Sequence, residues 1–266
     1  MPGDSADVWA SGDAYEPYVG RWSRLVAREL LTWLGAAPGG RWLDVGCGTG
    51  ALTEAILDAA APTRVQAVDP SLPYALFARR RVRDRRAAFV VADARALPHP
   101  ARSVDVVVSG LALNFIPQAD VALAEMTRVV RAGGVVAVYV WDYAGRMQLM
   151  RHFWDAAVAL DPGAAALDEA RRFPICHPDA LEALLRGARL RGVEGVAIDV
   201  PTRFRDFDDY WTPFLGGQGP APGYAMALGE ERRSALRERI RAALPVAADG
   251  SIDLVARAWA VRGTRA

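Results

Sequence analysis

The sequence predicts a doubly wound α/β fold, and three observations carry the prediction. Between residues 41 and 141, short apolar runs alternate with segments of helical periodicity, the rhythm of a parallel sheet with crossover helices. The first apolar run ends in the glycine-rich turn of Leu43-Asp44-Val45-Gly46-Cys47-Gly48-Thr49-Gly50, and a helix-forming run from Ala51 to Leu57 follows at once. Two later runs end in acids, Asp69 and Asp93. A strand, a glycine turn and a helix in succession bring backbone amides up to a nucleotide-like ligand. Asp44 gives this turn a sign: it would repel an anionic pyrophosphate and welcome a cationic ligand carrying an amino group.

The elements follow in order. Residues 14–34 read as one or two N-terminal helices, with Trp22, Leu25, Val26, Leu30 and Leu31 on one stripe, and Pro38-Gly39-Gly40 ends them. Residues 41–46 form the first strand and 51–60 its helix; Arg64 to Asp69 is the second strand. Pro70 and Ser71 open the next helix, with Ser71 as N-cap. Ala88 to Asp93 is the third strand. Val104 to Ser109 is the fourth, apolar enough for burial on both faces. A helix over 118–131 is expected to stop at Gly133-Gly134, ahead of a fifth strand from Val135 to Trp141. Beyond Asp142 the rhythm changes to helices at 146–160 and 177–188 and strands at Gly192–Val200 and Leu254–Val261. The intervening segment holds a glycine- and proline-rich loop over 214–223, which reads as a lid or as a plain connection. Its Phe207, Tyr210, Trp211, Phe214 and Tyr224 read first as core and second as the wall of a flat acceptor pocket.

Composition narrows the classes. The chain has 266 residues, 52% hydrophobic and 24% charged, which suits one globular domain, with a net charge of +1 that gives no field for nucleic acid or acidic membranes. No apolar run is long enough to span a bilayer, and Met1 to Asp7 is too acidic for a secretory signal. Cys47 and Cys176 are too few for a disulfide framework or a cysteine-rich zinc site, so a cytoplasmic enzyme is expected. All 32 basic residues are arginine and Asn114 is the sole asparagine, the mark of a GC-rich, bacterial coding sequence. Without lysine there is no Walker P-loop, no Schiff base and no lysine general base. The arginine-rich run over 79–86 reads as a solvated helix end rather than a nucleic-acid patch, because nearby acids balance it. His99, His152 and His177 are spaced for no metal site.

The segments Leu43–Gly50, Val68–Ser71, Ala92–Ala94, Asp105–Gln118 and Glu125–Trp141, in this order and spacing, make the chain resemble the class I methyltransferases that use S-adenosyl-L-methionine, especially the small-molecule group that includes quinone-biosynthesis enzymes. The resemblance covers roughly residues 14–142 and weakens beyond. It implies a Rossmann-like, mostly parallel seven-stranded sheet with an antiparallel C-terminal strand, a helical N-terminal cap (1–38), a cofactor-binding core (39–142) and a substrate-side part (143–266) with a helical insertion at about 201–250, all in one domain. It places Gly46 and Gly48 against the methionine part of the cofactor, with Asp44 near its ammonium, and counts Cys47 and Gly50 among the cofactor-binding residues. Asp69, followed by Pro70 and Ser71, would accept from the ribose hydroxyls; Leu72 would pack on the adenine; Asp93 would take the adenine amino group, with Ala94 as a backbone donor. For Asp69 and Asp93 the plainer reading is helix capping or turn chemistry. Ser109, Gly110 and Leu111 would lie between cofactor and acceptor. Tyr15, Tyr18 and Arg21 match an N-terminal stretch that closes over the cofactor, with Arg21 on its carboxylate; the alternative is tyrosines that anchor a helix to the core. A nicotinamide enzyme shares the glycine turn, but the turn here is Gly-x-Gly-x-Gly and Asp44 would face two phosphates.

Methyl transfer from a sulfonium is an in-line displacement, so positioning and water exclusion carry most of it and a base is needed only for a protonated acceptor. Asp142 and His152 are the candidate bases, and Asn114 a candidate to orient a polar acceptor; plainer readings are a turn or cap asparagine and a core histidine. The expected protein is therefore a monomeric or homodimeric methyltransferase for a small-molecule acceptor. An RNA or protein methyltransferase and a non-catalytic cofactor-binding scaffold are the alternatives.

Overall fold

The computed structural model describes residues 15–217 and 219–266. Residues 1–14 of the expected cap and Gln218 of the glycine- and proline-rich loop lie outside the described residues. A π-helical turn over Glu16–Gly20 runs into α1 (Arg21–Leu34). Val26, Ala27, Leu30 and Leu34 form the buried stripe of α1, and Gly35, in the left-handed region at φ 54°, ends it. The alternating core follows: β1 (Arg41–Val45), α2 (Ala51–Ala59), β2 (Arg64–Asp69), α3 (Leu72–Arg81), β3 (Ala87–Val91), β4 (Val104–Gly110), α4 (Ala119–Val129) and β5 (Val130–Trp141). Ser71 caps α3, its hydroxyl accepting from the Tyr74 amide at 3.5 Å. The C-terminal part contributes α5 (Gln148–Leu160), α6 (Glu169–Arg172), α7 (Pro178–Gly187), β6 (Leu190–Phe204), α8 (Phe207–Trp211), α9 (Pro220–Ala227), α10 (Glu230–Ala243) and β7 (Ile252–Arg265).

Among the described residues the strands form one seven-stranded sheet in the order β3-β2-β1-β4-β5-β7-β6. β1 to β5 pair in parallel, and β7 runs antiparallel to both neighbours. This is the expected doubly wound, Rossmann-like sheet with its antiparallel last strand. Central strands carry fully buried Leu43, Val45, Val107, Val108, Val136 and Val138, as a sheet covered on both faces requires. Chain order reverses between β1 and β4, so the crevice beyond their C-terminal ends is where a ligand enters such a sheet. Among the described residues no helix is long and apolar enough to cross a membrane.

Several boundaries differ from the sequence reading. β3 ends at Val91, so Asp93 sits in the loop beyond it. α4 stops at Val129, and Gly133-Gly134 lie inside β5 instead of ending a helix. The reason is contact with β4: a Cβ on Gly134 would lie 2.6 Å from the Asp105 carbonyl, where the β4–β5 register shifts. β6 and β7 are longer than expected, paired from Leu190 with Arg265 to Phe204 with Ile252. Phe207, Tyr210, Trp211 and Phe214 of the insertion are core, Tyr224 packs half-buried against it, and Phe153 stacks on Phe214 at 4.6 Å. In the arginine-rich run, Arg81 pairs with Glu16 and Glu54, both at 3.1 Å, and Arg86 with Asp84 at 2.7 Å.

Candidate functional site

A cavity of about 540 Å³ opens at the C-terminal ends of β1, β2 and β4, with the glycine turn as its floor. The Gly46 and Cys47 amides both donate to the Val68 carbonyl, at 2.8 and 3.0 Å, which ties the turn to β2. Gly46 has φ 75°, and a Cβ there would lie 2.5 Å from the Ala112 methyl. Only glycine meets both demands, so the backbone comes close to the loop after β4. Across the cavity, Gly110 leaves room for Tyr139, whose hydroxyl would be 2.4 Å from an added Cβ.

Three acids line the cavity in different states. Asp44 is fully buried; its Oδ2 accepts from the Thr53 hydroxyl at 2.6 Å, while buried Oδ1 has no hydrogen-bond partner. Burial, with a smaller contribution from the Asp69 charge, pushes its carboxyl up to about 7. Asp69 accepts from the Gly48 amide at Oδ2 and the Ser71 amide at Oδ1, both at 2.9 Å, and so clasps the glycine turn to the start of α3. Burial raises it, and the two amides oppose the rise. Asp93 is held by Arg95, with contacts of 2.6 to 3.1 Å from the guanidinium and 2.8 Å from the backbone amide. The side-chain bonds to Arg95 hold the Asp93 carboxyl below the usual carboxylate range.

Of the other expected residues, Tyr15, Cys47, Gly48, Pro70, Ser71, Ala94, Gly110 and Leu111 line the same cavity. Tyr15 meets Tyr74 edge-on at 6.2 Å, and burial lifts its phenol to about 12. Burial raises the Cys47 thiol as well, which disfavours its thiolate. Leu111 takes φ 58° and donates its amide to the Tyr139 carbonyl at 2.8 Å. Gly50 starts α2 against Ala78 and Val82, and Ser109 is buried within β4; both stand behind the lining.

The structure does not bring the remaining candidates to this cavity. Arg21, expected on the cofactor carboxylate, pairs with Asp209 at 3.0 Å and lies over the Trp22 and Phe204 rings at 4.4 and 4.8 Å. Tyr18 is buried and donates its hydroxyl to the Met150 sulfur at 3.0 Å. Leu72 is 55% exposed, outside the lining expected for an adenine. Asp142 accepts from the Gly145 amide at 3.0 Å and the Arg146 amide at 2.9 Å, so its carboxylate closes the turn after β5. His152 lies half-buried on α5, where burial lowers its pKa. Asn114 sits in the single 3₁₀ turn Leu113–Phe115, its amide beside the Tyr143 phenol.

Sequence reasoning missed Thr49, Tyr74, Arg95 and Tyr139 in the lining. Thr49 was within reach as a polar residue inside the glycine turn, and its buried hydroxyl has no partner. Tyr139 could have been found from the pairing of a large residue on β5 with the small Gly110 on β4.

Residues 43–138 match the family described as a methyltransferase domain. The malonyl-[acyl-carrier protein] O-methyltransferase of Salmonella typhimurium is 36% identical over 132 residues, covering 49% of this chain and 50% of that one. The demethylmenaquinone methyltransferase of Renibacterium salmoninarum is 40% identical over 118 residues, 44% and 46% of the two chains. The chain thus spans about half the length of the curated relatives it matches. Among solved structures, phosphoethanolamine N-methyltransferase 2 of Haemonchus contortus, in complex with phosphomonomethylethanolamine and S-adenosylhomocysteine, matches with a TM-score of 0.57 at 17% identity, covering 95% of this chain and 56% of that one. That likeness shows the fold. The matched core, residues 43–138, and this sheet order make the chain similar to the class I S-adenosyl-L-methionine-dependent methyltransferases.

Proposed function

We propose that the protein transfers the methyl group of S-adenosyl-L-methionine to a small-molecule acceptor. The observation that carries the reading is Asp44: a buried carboxylate oxygen without a partner, in the wall of a cavity at the sheet's switch point. Burying a carboxylate oxygen without a partner is unfavourable, and the amino group of a methionine moiety would supply the missing donor and charge. The rest of the lining suits the same molecule. Gly46 and Gly48 would carry the methionine part, and Asp69 has unused lone pairs for a ribose diol beside those given to the Gly48 and Ser71 amides. Asp93 and Ala94 would meet the adenine edge, with Arg95 holding the Asp93 carboxylate in place. When bound, the cofactor supplies a methyl activated by its sulfonium, a strong electrophile. The chain's own part is to orient donor and acceptor and exclude water. Tyr15, Leu111 and Phe115 do this at the inner wall of the cavity.

Calorimetry tests the reading. The wild type should bind S-adenosyl-L-methionine, and Asp69→Ala combined with Gly48→Arg should abolish binding, since Gly48 has nothing within 4 Å of its Cβ position and an arginine there would enter the cavity. Absence of binding by the wild type, or undiminished binding by the double variant, would overturn it.

A further inference from the structure

A second, smaller cavity of about 20 Å³ adjoins the first, sharing Tyr15, Leu111 and Phe115 with it. Five rings line it, from Tyr15, Tyr18, Phe115, Trp141 and Tyr143, and one acid, Glu169. No arginine or histidine is among its lining residues. Glu169 opens α6 and is 1% exposed, and its Oε2 accepts the indole N–H of Trp154. The charges around it come from several elements. Asp168 beside it is satisfied by Arg151, at 3.1 and 2.7 Å, and by the Ala170 amide at 2.9 Å. Burial lifts the Glu169 carboxyl to about 8; its own backbone amide and the Trp154 indole oppose the rise, Asp168 adds to it, and Arg172 draws it down. The Tyr18 and Tyr143 phenols and the Cys176 thiol are pushed up in part by the same carboxylate, and Arg151 feels its attraction. An ionisable acid in an apolar chamber beside a ligand cavity is an arrangement found at functional sites.

We propose that this chamber takes the amine end of the methyl acceptor, with Glu169 as its hydrogen-bonding partner and proton acceptor. The proposal rests on the methyl-transfer reading and names the acceptor class. Three features select an amine. The chamber holds one or two heavy atoms, since a water needs about 10–15 Å³ by the same measure, so it admits an amino or methylamino group and little else. Ring faces and a carboxylate attract a cation and repel an anion. An anionic acceptor, such as a carboxylate, would meet Glu169 with no cation in the lining to offset it. The proton step balances where Glu169 is ionised, above its midpoint near 8: an ammonium entering from solvent gives one N–H proton to the Glu169 carboxylate, the N–H bond breaks, its electron pair stays on nitrogen, and Glu169 becomes the carboxylic acid. The freed lone pair is the nucleophile that methyl transfer needs.

The probes are n-propylamine and propionate, added to the protein saturated with S-adenosylhomocysteine. The readout is the indole N–H resonance of Trp154, assigned with Trp154→Phe, because that N–H bonds to Glu169. In the wild type the resonance should titrate with a midpoint near 8 without any probe, and the titration should vanish in Glu169→Gln. At about pH 9, where Glu169 is ionised, propylamine should shift the resonance saturably and propionate should not. Glu169→Gln should weaken propylamine binding by about tenfold or more while binding of S-adenosylhomocysteine by calorimetry stays within about twofold. A resonance that does not titrate between roughly pH 6 and 9, an equal response to propionate, or unchanged propylamine binding in Glu169→Gln would each overturn the proposal. Should Glu169→Gln fail to fold, the wild-type titration and the amine-against-carboxylate comparison decide the matter alone. Should the cofactor product fail to bind, the methyl-transfer reading falls, while the same propylamine titration on the unloaded protein still decides whether this is an amine chamber.

Discussion

Asp44 is held where the free protein would be more stable without its charge. Its carboxyl is raised from 3.8 to about 7, chiefly by burial. Between those pH values the folded protein keeps a proton that the unfolded chain has released, so stability falls as pH rises through the window and the penalty is complete above its upper end. Asp44→Asn should therefore stabilise the free protein at pH 8 by about 2 kcal/mol, with little effect near pH 4, by urea denaturation. The same variant should lose affinity for S-adenosyl-L-methionine by about tenfold or more, a trade of function for stability. A variant less stable than the wild type at pH 8 would contradict this account. Asp69 shows a different economy. Its two amide bonds shape the turn, as the turn-chemistry reading of this residue expects, and the proposed ribose contact would use the lone pairs they leave. The acid was legible because it closes β2; its grip on the Gly48 amide was not, since that bond spans two elements.

The glycine turn depends on a fit between elements. Gly46→Ala would combine a positive φ of 75° with a methyl 2.5 Å from the Ala112 methyl. Both penalties act on the same turn, so Gly46→Ala should destabilise the protein by about 2–3 kcal/mol in urea denaturation. Adding Ala112→Gly should recover part of this, because it removes the contact and leaves the φ strain. Full recovery would show that φ contributes nothing. The sequence marked this turn well, since a run of glycines between an apolar strand and a helix has few other uses. The elements around it were harder to place. Arg21 fits an N-terminal motif by sequence, yet its partner Asp209 comes from α8, far along the chain, and two rings complete its seat. Asp142 follows a strand as a catalytic acid could, but the turn to Met147 uses both of its oxygens. Glu169 carried no sequence signal, because Trp154 of α5 and the distant Tyr18 and Tyr143 meet it only in the folded protein.

The last strand joins the molecule together. β7 lies between β5 and β6, so removing it would leave two unpaired edges. Near its end, the Arg262 guanidinium donates to the Trp33 and Leu34 carbonyls at 3.2 and 2.9 Å, closing the C-terminus of α1. Arg265 donates to the Thr127, Arg128 and Val130 carbonyls at 2.8, 2.7 and 2.6 Å, closing α4. The cap, the core and the substrate-side part are thus expected to unfold together. Scanning calorimetry should show one transition with a calorimetric-to-van't Hoff enthalpy ratio of about 1; two resolved transitions would make residues 39–142 an independent unit. The sequence by itself determined the alternating core, the glycine turn and the acids that line its edge, because strand and helix periodicity and glycine's positive φ are local properties of the chain. Only the tertiary structure decided which polar residues reach the cavity and which serve turns and ion pairs. It alone set Glu169 beside the aromatic chamber, because burial and neighbouring charge are fixed by segments far apart in sequence.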